Sequence, residues 1–204
     1  MKIEGYNRIP QVTKELEYLK THQVVIGFFG KRESRLLTIV GANEFGATIK
    51  PKNGEWLWIP TKDCPKGKGP KDIEGLFIPK GHRVACVNDH GKLVAYFYLS
   101  KLVQIPARPF IRQAYLANKR RYTQLVRQYI SKVLAGEATV YQLLTRLGVA
   151  CTADIAMSSI KLKHPKNRPA TIERKGSDNP LVDTGELQRQ VKFMIVPIQK
   201  GGLI

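Results

Sequence analysis

Four side chains of the metal-ligating type lie between residues 64 and 90. They are Cys64, His82, Cys86 and His90, and the spacing His82-x3-Cys86-x3-His90 superficially suits zinc. A four-ligand zinc site normally takes paired ligands, about two to four residues apart, from two knuckles. Residues 83–87 instead have the pattern of a strand, in which Cys86 alternates with apolar neighbours, and His90 falls in a turn. We therefore predict a buried, structural Cys86 and no metal site.

Two carboxylates near the end of the chain, Asp183 and Glu186, are the only close pair in a position that suggests acid–base chemistry. Their spacing is typical of a helix N-terminus, where carboxylates accept backbone amide hydrogens and face the positive end of the helix. Such a position lowers a carboxylate pKa, which suits capping better than general acid catalysis. Residues 27–31 (GFFGK) lack the spacing of a phosphate-binding loop, and no nucleophile elbow is present. We predict that Asp183 caps a helix and that the chain is not an enzyme and needs no cofactor.

The first fifth of the chain contains one predicted helix and two predicted strands. Apolar residues at helical spacing predict a short helix over residues 9–19. Residues 23–29 (QVVIGFF) and 36–40 (LLTIV) are rich in β-branched, aromatic and other apolar residues, and the polar segment 30–34 separates them. This pattern predicts a hairpin.

The next part of the chain is punctuated by prolines. Five of them fall within residues 50–80 and interrupt short apolar pieces, which is typical of an inserted, exposed flap. Residues 83–87 and 92–99 flank the turn 88–91 (NDHG), whose residues tolerate left-handed backbone conformations. These residues predict a second hairpin.

After Pro106 the hydrophobic period changes from two to 3.6 residues. This predicts a long helix from residue 111 to about residue 136 and a second helix from residue 140 to about residue 160. Because the connection is short, the two helices should pack as an antiparallel hairpin. The rest of the chain is predicted as a basic extended loop over 161–179, a short helix led by Asp183 and a last strand over 191–196.

Together these elements predict an α+β fold, in which a mainly antiparallel sheet packs on a long helical hairpin and a β-rich flap is inserted at residues 50–104. We expect a single domain over residues 1–204, because a chain of this length with 43% hydrophobic residues can bury a sizeable core. No stretch approaches the about 18 consecutive apolar residues of a membrane span, and residues 1–10 lack a signal-peptide core. We expect a soluble protein made in the cytosol, with its three cysteines reduced.

The charge of the chain is strongly positive, with 34 Lys and Arg against 16 Asp and Glu and a net charge of +18. Residues 107–135 hold seven of these basic residues and no acid. This excess favours an acidic partner, either nucleic acid, an anionic membrane or an acidic protein surface. No recognition-helix or zinc-finger spacing is present, so any DNA contact should be to phosphates. The predicted basic face of the long helix consists of Arg112, Lys119, Arg120, Arg121 and Arg127.

Three segments resemble a known family. Residues 168–187 (RPATIERKGSDNPLVDTGEL) resemble a signature of tailed-bacteriophage minor tail and tail-completion proteins, in which Pro-Leu and Asp-Thr-Gly-x-Leu precede a final strand. Residues 43–46 (NEFG) and 105–112 (IPARPFIR) resemble two further elements of that family, in the same order. The residues that carry the resemblance are Glu44, Phe45, Gly46, Arg108, Pro109, Phe110, Pro180, Leu181, Asp183, Thr184, Gly185 and Leu187.

The resemblance implies a structural virion protein of the head–tail joint, at the neck or the tail terminus, that is assembled in the host cytoplasm. Its partners would be copies of itself in a ring, connector or adaptor proteins, and the tail tube or tail terminator, with no membrane. The segment 50–104 departs from the family because it is longer than the usual connection, and Gln190 stands where a small Ser is common.

Two roles stay open for the motif residues, namely the protomer's own fold and direct contact between subunits. Within the flap, Trp56, Trp58 and Phe77 are predicted interface anchors, since aromatic side chains commonly anchor interfaces. We expect most basic residues to face partner proteins rather than the channel of the ring. The alternative function is general nucleic-acid binding, with the basic helix and the loop contacting phosphates.

Overall fold

The computed structural model describes residues 8–31 and 34–198, and most of these residues lie in helices or strands. In chain order the elements are α1 (Ile9–Thr21), β1 (His22–Gly27), α2 (Arg35–Phe45), β2 (Ala47–Ile49), β3 (Leu57–Pro60), a 3-10 turn (Pro70–Asp72), β4 (Val84–Asp89), β5 (Lys92–Ser100), β6 (Val103–Ile105), α3 (Phe110–Leu134), α4 (Val140–Lys161), α5 (Pro169–Lys175), α6 (Glu186–Arg189) and β7 (Lys192–Pro197). The predicted α+β class is confirmed.

The chain divides into two compact units. The first unit comprises Met1–Val40, Pro109–Lys161 and Thr184–Ile204, and the second comprises Gly41–Arg108 and Leu162–Asp183. In the part of the chain that the structure describes, all strand pairs are antiparallel, but they form three small sheets, β1–β7, β2–β6 and β3–β5–β4. The predicted flap at 50–104 lies within the second unit, and the single domain over 1–204 stays a prediction.

The first unit is built on the helical hairpin of α3 and α4, as predicted. The hairpin is antiparallel, since the Ser158 hydroxyl near the end of α4 donates to the Phe110 carbonyl at the start of α3 (2.8 Å). At its other end Val133, Val140 and Leu144 are buried in one cluster. The predicted helix at the start of the chain is confirmed as α1, and it contributes Tyr18 to the same cluster.

Strands β1 and β7 form a two-stranded sheet that packs against α4. Their side chains Val24 and Ile195 oppose each other in the pairing, and both pack against the buried cluster of the hairpin. A very close approach occurs at Gly148 of α4, because a Cβ atom built there would lie 2.4 Å from a ring carbon of Phe193. Only glycine leaves room for the Phe193 ring at this position.

Helix α4 is long and apolar enough, by length and composition alone, to cross a membrane, with a mean hydropathy of 1.3. A core helix of a soluble protein also meets this criterion of length and hydropathy. In this structure seven residues of α4 are buried, and the helix packs against α3, β1 and β7. We therefore describe α4 as the central helix of the first unit.

The second unit contains the three-stranded sheet β3–β5–β4, with the predicted hairpin of β4 and β5 confirmed. Its turn has left-handed backbone at His90 and Gly91, and the Asn88 side chain accepts the Gly91 amide hydrogen (2.9 Å). Phe97 of β5 is buried together with Cys64, under the loop that precedes β4. The predicted flap is therefore a folded sheet with its own core.

The predicted strand over residues 36–40 is wrong, because these residues belong to helix α2. Ser34 begins this helix, since its side chain accepts the Leu37 amide hydrogen (3.3 Å) and its carbonyl accepts that of Thr38 (3.1 Å). Among the described residues, strand β1 therefore has no hairpin partner next to it in the sequence. It pairs with the last strand, which was predicted at 191–196 and is confirmed as β7.

Two predictions near the end of the chain also need correction. Residues 161–179 are not one extended loop, because Pro169 opens the short helix α5, which ends at the left-handed Gly176. Asp183 does not cap the last helix. Gly185 occupies the cap position of α6 with left-handed backbone and without a side-chain cap.

We expect Gly148→Ala to lower the free energy of unfolding by about 1–3 kcal/mol, because the added methyl group overlaps the Phe193 ring. The matched control is Gly41→Ala in helix α2, where a Cβ atom meets nothing within 4 Å. That change should stabilise the protein by up to about 1 kcal/mol, the helix preference of alanine over glycine. Chemical denaturation followed by circular dichroism measures both, and equal effects of the two changes would contradict the packing described.

Candidate functional site

The guanidinium of Arg108 is buried in the second unit, with 5% of the residue exposed, and it makes four hydrogen bonds. Its Nε donates to the Pro165 carbonyl (2.9 Å), and one Nη donates to the Asn43 side-chain oxygen (3.2 Å). The other Nη donates to the Lys166 carbonyl (3.3 Å) and the Asn167 side-chain oxygen (3.0 Å). One side chain thus joins the end of helix α2 to the loop before α5.

Two neighbouring contacts place Arg108 in this position. Strand β2 pairs with β6, with Ala47 opposite Ile105, and the Arg108 amide donates to the Asn43 carbonyl. Between Asn43 and strand β2 the chain turns at Gly46, whose φ is +78°. A Cβ atom added to Gly46 would lie 3.1 Å from the Ile105 carbonyl oxygen. Glycine is needed here because the backbone is left-handed and the neighbouring strand is so close. Residues 43–46 and 105–108 are therefore held face to face.

The environment of Arg108 is polar but contains no carboxylate among the acceptors of these hydrogen bonds, which are all carbonyl or amide oxygens. Burial lowers the pKa of Arg108 below its ordinary value. Lys175 lies near enough to interact electrostatically with it. Burial lowers the pKa of Lys175, nearby Asp183 raises it, and Arg108 lowers it. Two cations are thus partly withdrawn from water in one region of the second unit.

The third family segment is adjacent to this region. The Lys175 ammonium donates to the Asn179 carbonyl (2.7 Å), and the Asn179 side chain accepts the amide hydrogens of Leu181 (3.1 Å) and Val182 (3.2 Å). Pro180 and Leu181 are both buried. All three segments that carry the family resemblance therefore contribute residues to the surroundings of Arg108.

The remaining motif residues are divided between the two units. In the second unit Glu44 is buried and Phe45 is 71% exposed. In the first unit Pro109 precedes α3, and Phe110 is fully buried with its ring edge-on to Phe28 (6.0 Å between centroids). Asp183 and Thr184 are exposed, whereas Gly185 and Leu187 are partly buried.

The three flap aromatics differ in their surroundings. The ring of Trp56 lies beneath two cations, with Arg83 at 5.7 Å and Lys101 at 5.2 Å from its centroid. Trp58 and Phe77 are 37% and 42% exposed. Both therefore present apolar surface to solvent, as an interface anchor must, while Trp56 is held by its cation contacts.

All five residues of the predicted basic face are exposed on α3, namely Arg112, Lys119, Arg120, Arg121 and Arg127. Arg121 also forms an ion pair with Asp154 of α4.

Asp154 links the two helices of the hairpin. Besides the ion pair with Arg121, its carboxylate accepts a hydrogen bond from the Tyr122 hydroxyl (2.7 Å). Burial raises the pKa of Tyr122, and burial also raises the pKa of Cys151. The Tyr122 hydroxyl and the Cys151 thiol are therefore neutral at physiological pH. The contacts of Tyr122 and Arg121 with Asp154 hold α3 against α4.

The four metal-type residues identified in the sequence do not form a cluster. Cys64 and Cys86 are buried, as predicted for Cys86, whereas His82 and His90 are exposed. Within residues 8–31 and 34–198, no group of three or more His, Cys, Asp or Glu side chains is placed to hold a metal ion. All three cysteines are buried and outside any disulfide.

Sequence reasoning identified Arg108 but missed its acceptors. Asn43 precedes it by 65 residues, and Pro165 and Asn167 follow it by 57 and 59 residues. An arginine between two prolines, as in residues 106–109, is the one local signal of a constrained side chain. The acceptors themselves have no local pattern.

The chain matches no family model, no curated protein and no solved structure. Its function is therefore inferred from its own geometry and from the resemblance of its three segments.

We expect Arg108→Lys to lower the free energy of unfolding by about 3 kcal/mol or more, because one ammonium cannot reach four acceptors and a hydrogen bond to a charged group contributes about 1.5–3 kcal/mol. Arg168→Lys is the matched control in the same unit, since Arg168 is exposed. It should change stability by less than about 0.5 kcal/mol. Amide hydrogen exchange at residues 43, 166 and 167 should accelerate in Arg108→Lys alone, and unchanged exchange there would contradict the role of Arg108.

Proposed function

We propose that this chain is a structural virion protein of a tailed bacteriophage that forms a ring at the head–tail joint and links the connector to the tail tube during assembly. The observation that carries the proposal is the convergence around Arg108 of the three segments that resemble the tail-completion family. One residue from each segment, Asn43, Arg108 and Lys175, lies in this region of the second unit.

The chemistry around Arg108 suits a structural role. A guanidinium has five N–H donors, and four of them are used in bonds to oxygens of the same unit. The side chain therefore has little capacity left to bind a substrate. Its effect is to hold the loop 162–183 on the rest of the second unit.

The unit held together in this way presents apolar side chains to solvent. Phe45, Ile49, Trp58 and Phe77 are between 37% and 71% exposed, and each lies on or beside an ordered element. Exposed apolar and aromatic groups on rigid elements are typical of surfaces that bind other proteins. They are candidates for the contact between neighbouring copies in a ring.

The purified chain should form closed rings, with a mass several times 23.0 kDa by size-exclusion chromatography with light scattering and a central hole in negative-stain images. Phe45→Ser should reduce assembly, because it removes the most exposed aromatic side chain next to the Arg108 region. Leu134→Ser, at a 51% exposed position of the first unit, is the matched control. Mass spectrometry that fails to find the chain in purified virions would refute the proposal.

A second candidate function is general nucleic-acid binding. It is favoured by the exposed basic residues of α3, a helix of 25 residues that contains no acid. Lysine and arginine on such a helix can neutralise backbone phosphates and release counterions.

If nucleic-acid binding is the function, duplex DNA should bind with an affinity that falls steeply with salt, and Arg120→Glu combined with Arg127→Glu should abolish it. Lys14→Glu combined with Lys92→Glu makes the same change of net charge at exposed positions elsewhere and should have a smaller effect. Filter binding at two salt concentrations measures both. Equal affinities for the two double variants would remove α3 from a DNA-binding role.

A further inference from the structure

The outward face of α3 has an apolar centre surrounded by cations. Leu116, in the first half of α3, is 69% exposed. Arg112 lies four residues before it, and Lys119 and Arg120 lie three and four residues after it. Residues at these spacings are neighbours on a helix surface. The three cationic side chains therefore adjoin Leu116 on the same face.

The charges of Lys119 and Arg120 beside Leu116 are available to a partner. Among the residues that the structure describes, no side chain forms an ion pair with Lys119 or Arg120, and both are exposed. Arg127, about two turns beyond Arg120, extends the same face. Lys119 and Arg120 differ in this respect from Arg121, which lies on another side of the helix and already forms an ion pair with Asp154.

We propose that this face of α3 docks an acidic protein surface, with Leu116 as the central apolar anchor and Lys119 and Arg120 as the charged residues of the rim. The inference rests on the proposed function and deepens it, because the partner would be a different protein of the head–tail joint.

The composition of the face favours such a partner over the two others that its charge allows. Protein interfaces have an apolar centre and a polar rim, and Leu116 within its cations has that arrangement. A phosphate backbone would use the cations but leave the leucine without an apolar counterpart. A second copy would bring the same acid-free helix, from a chain of net charge +18, against like charge.

The test uses the full chain and two fluorescent probes, an acidic amphipathic helical peptide with a leucine stripe and a duplex DNA of the same total charge. Anisotropy titrations at physiological salt should show tighter binding of the peptide. Leu116→Ser should weaken peptide binding about tenfold, the contribution of one buried leucine, and leave DNA binding unchanged. Arg120→Glu should weaken binding of both probes.

Two matched controls keep the result specific. Leu134 lies on the same side of α3, five turns beyond Leu116, and is 51% exposed, so Leu134→Ser should leave peptide binding unchanged. Lys14→Glu makes the same charge change on α1 as Arg120→Glu makes on α3, and its effect should be smaller. Circular dichroism checks that each variant is folded.

The inference is overturned if DNA binds more tightly than the peptide, if the peptide does not bind, or if Leu116→Ser and Leu134→Ser have equal effects. Ring formation by wild type and Leu116→Ser is imaged in parallel. Rings without peptide binding would refute the docking face and leave the proposed function standing. If the chain binds the peptide but forms no rings and is absent from virions, the proposed function is refuted and the docking face stands.

Discussion

The fold of the second unit depends on the hydrogen bonds that replace the water contacts of the Arg108 guanidinium, which is buried. A buried charge is costly unless the protein replaces the lost water contacts, and here the replacements are neutral oxygens rather than a carboxylate. Each acceptor must then be held at hydrogen-bonding distance by its own stretch of chain. Asn43 is held by helix α2, and Pro165 by the loop before α5. Removing any one of these stretches leaves part of a buried charge unsatisfied.

This requirement links residues that have no obvious relation in the sequence. Gly46 permits the turn that brings β2 beside β6, and that pairing places Arg108 next to Asn43. Lys175 then connects the same region to Asn179 and so to the buried Leu181. Gly46, Arg108 and Leu181 thus serve the fold of the second unit, whereas the motif residue Phe45 is exposed.

Elements with strong local signals were predictable from the sequence. The period of 3.6 sustained over α3 and α4 predicted the helical hairpin, and the turn at 88–91 predicted the β4–β5 hairpin. The prediction of a strand at residues 36–40 was wrong because a short run of apolar, partly β-branched residues suits a buried strand and a helix equally. The helix is selected by the cap at Ser34 and by the pairing of β1 with the distant strand β7. The acceptors of Arg108 could not be predicted, since they are brought to it only by tertiary structure.

The pairing of β1 with β7 also sets the order in which the chain can fold as it is made. Residues 22–27 leave the ribosome early, but their only strand partner in the described chain, residues 192–197, is synthesised about 170 residues later. The α3–α4 hairpin and the β4–β5 hairpin need only local contacts and can form in the meantime. The exposed edge of β1 has to remain unpaired through most of translation, so a nascent chain stalled before β7 would carry an open strand edge prone to association with other chains.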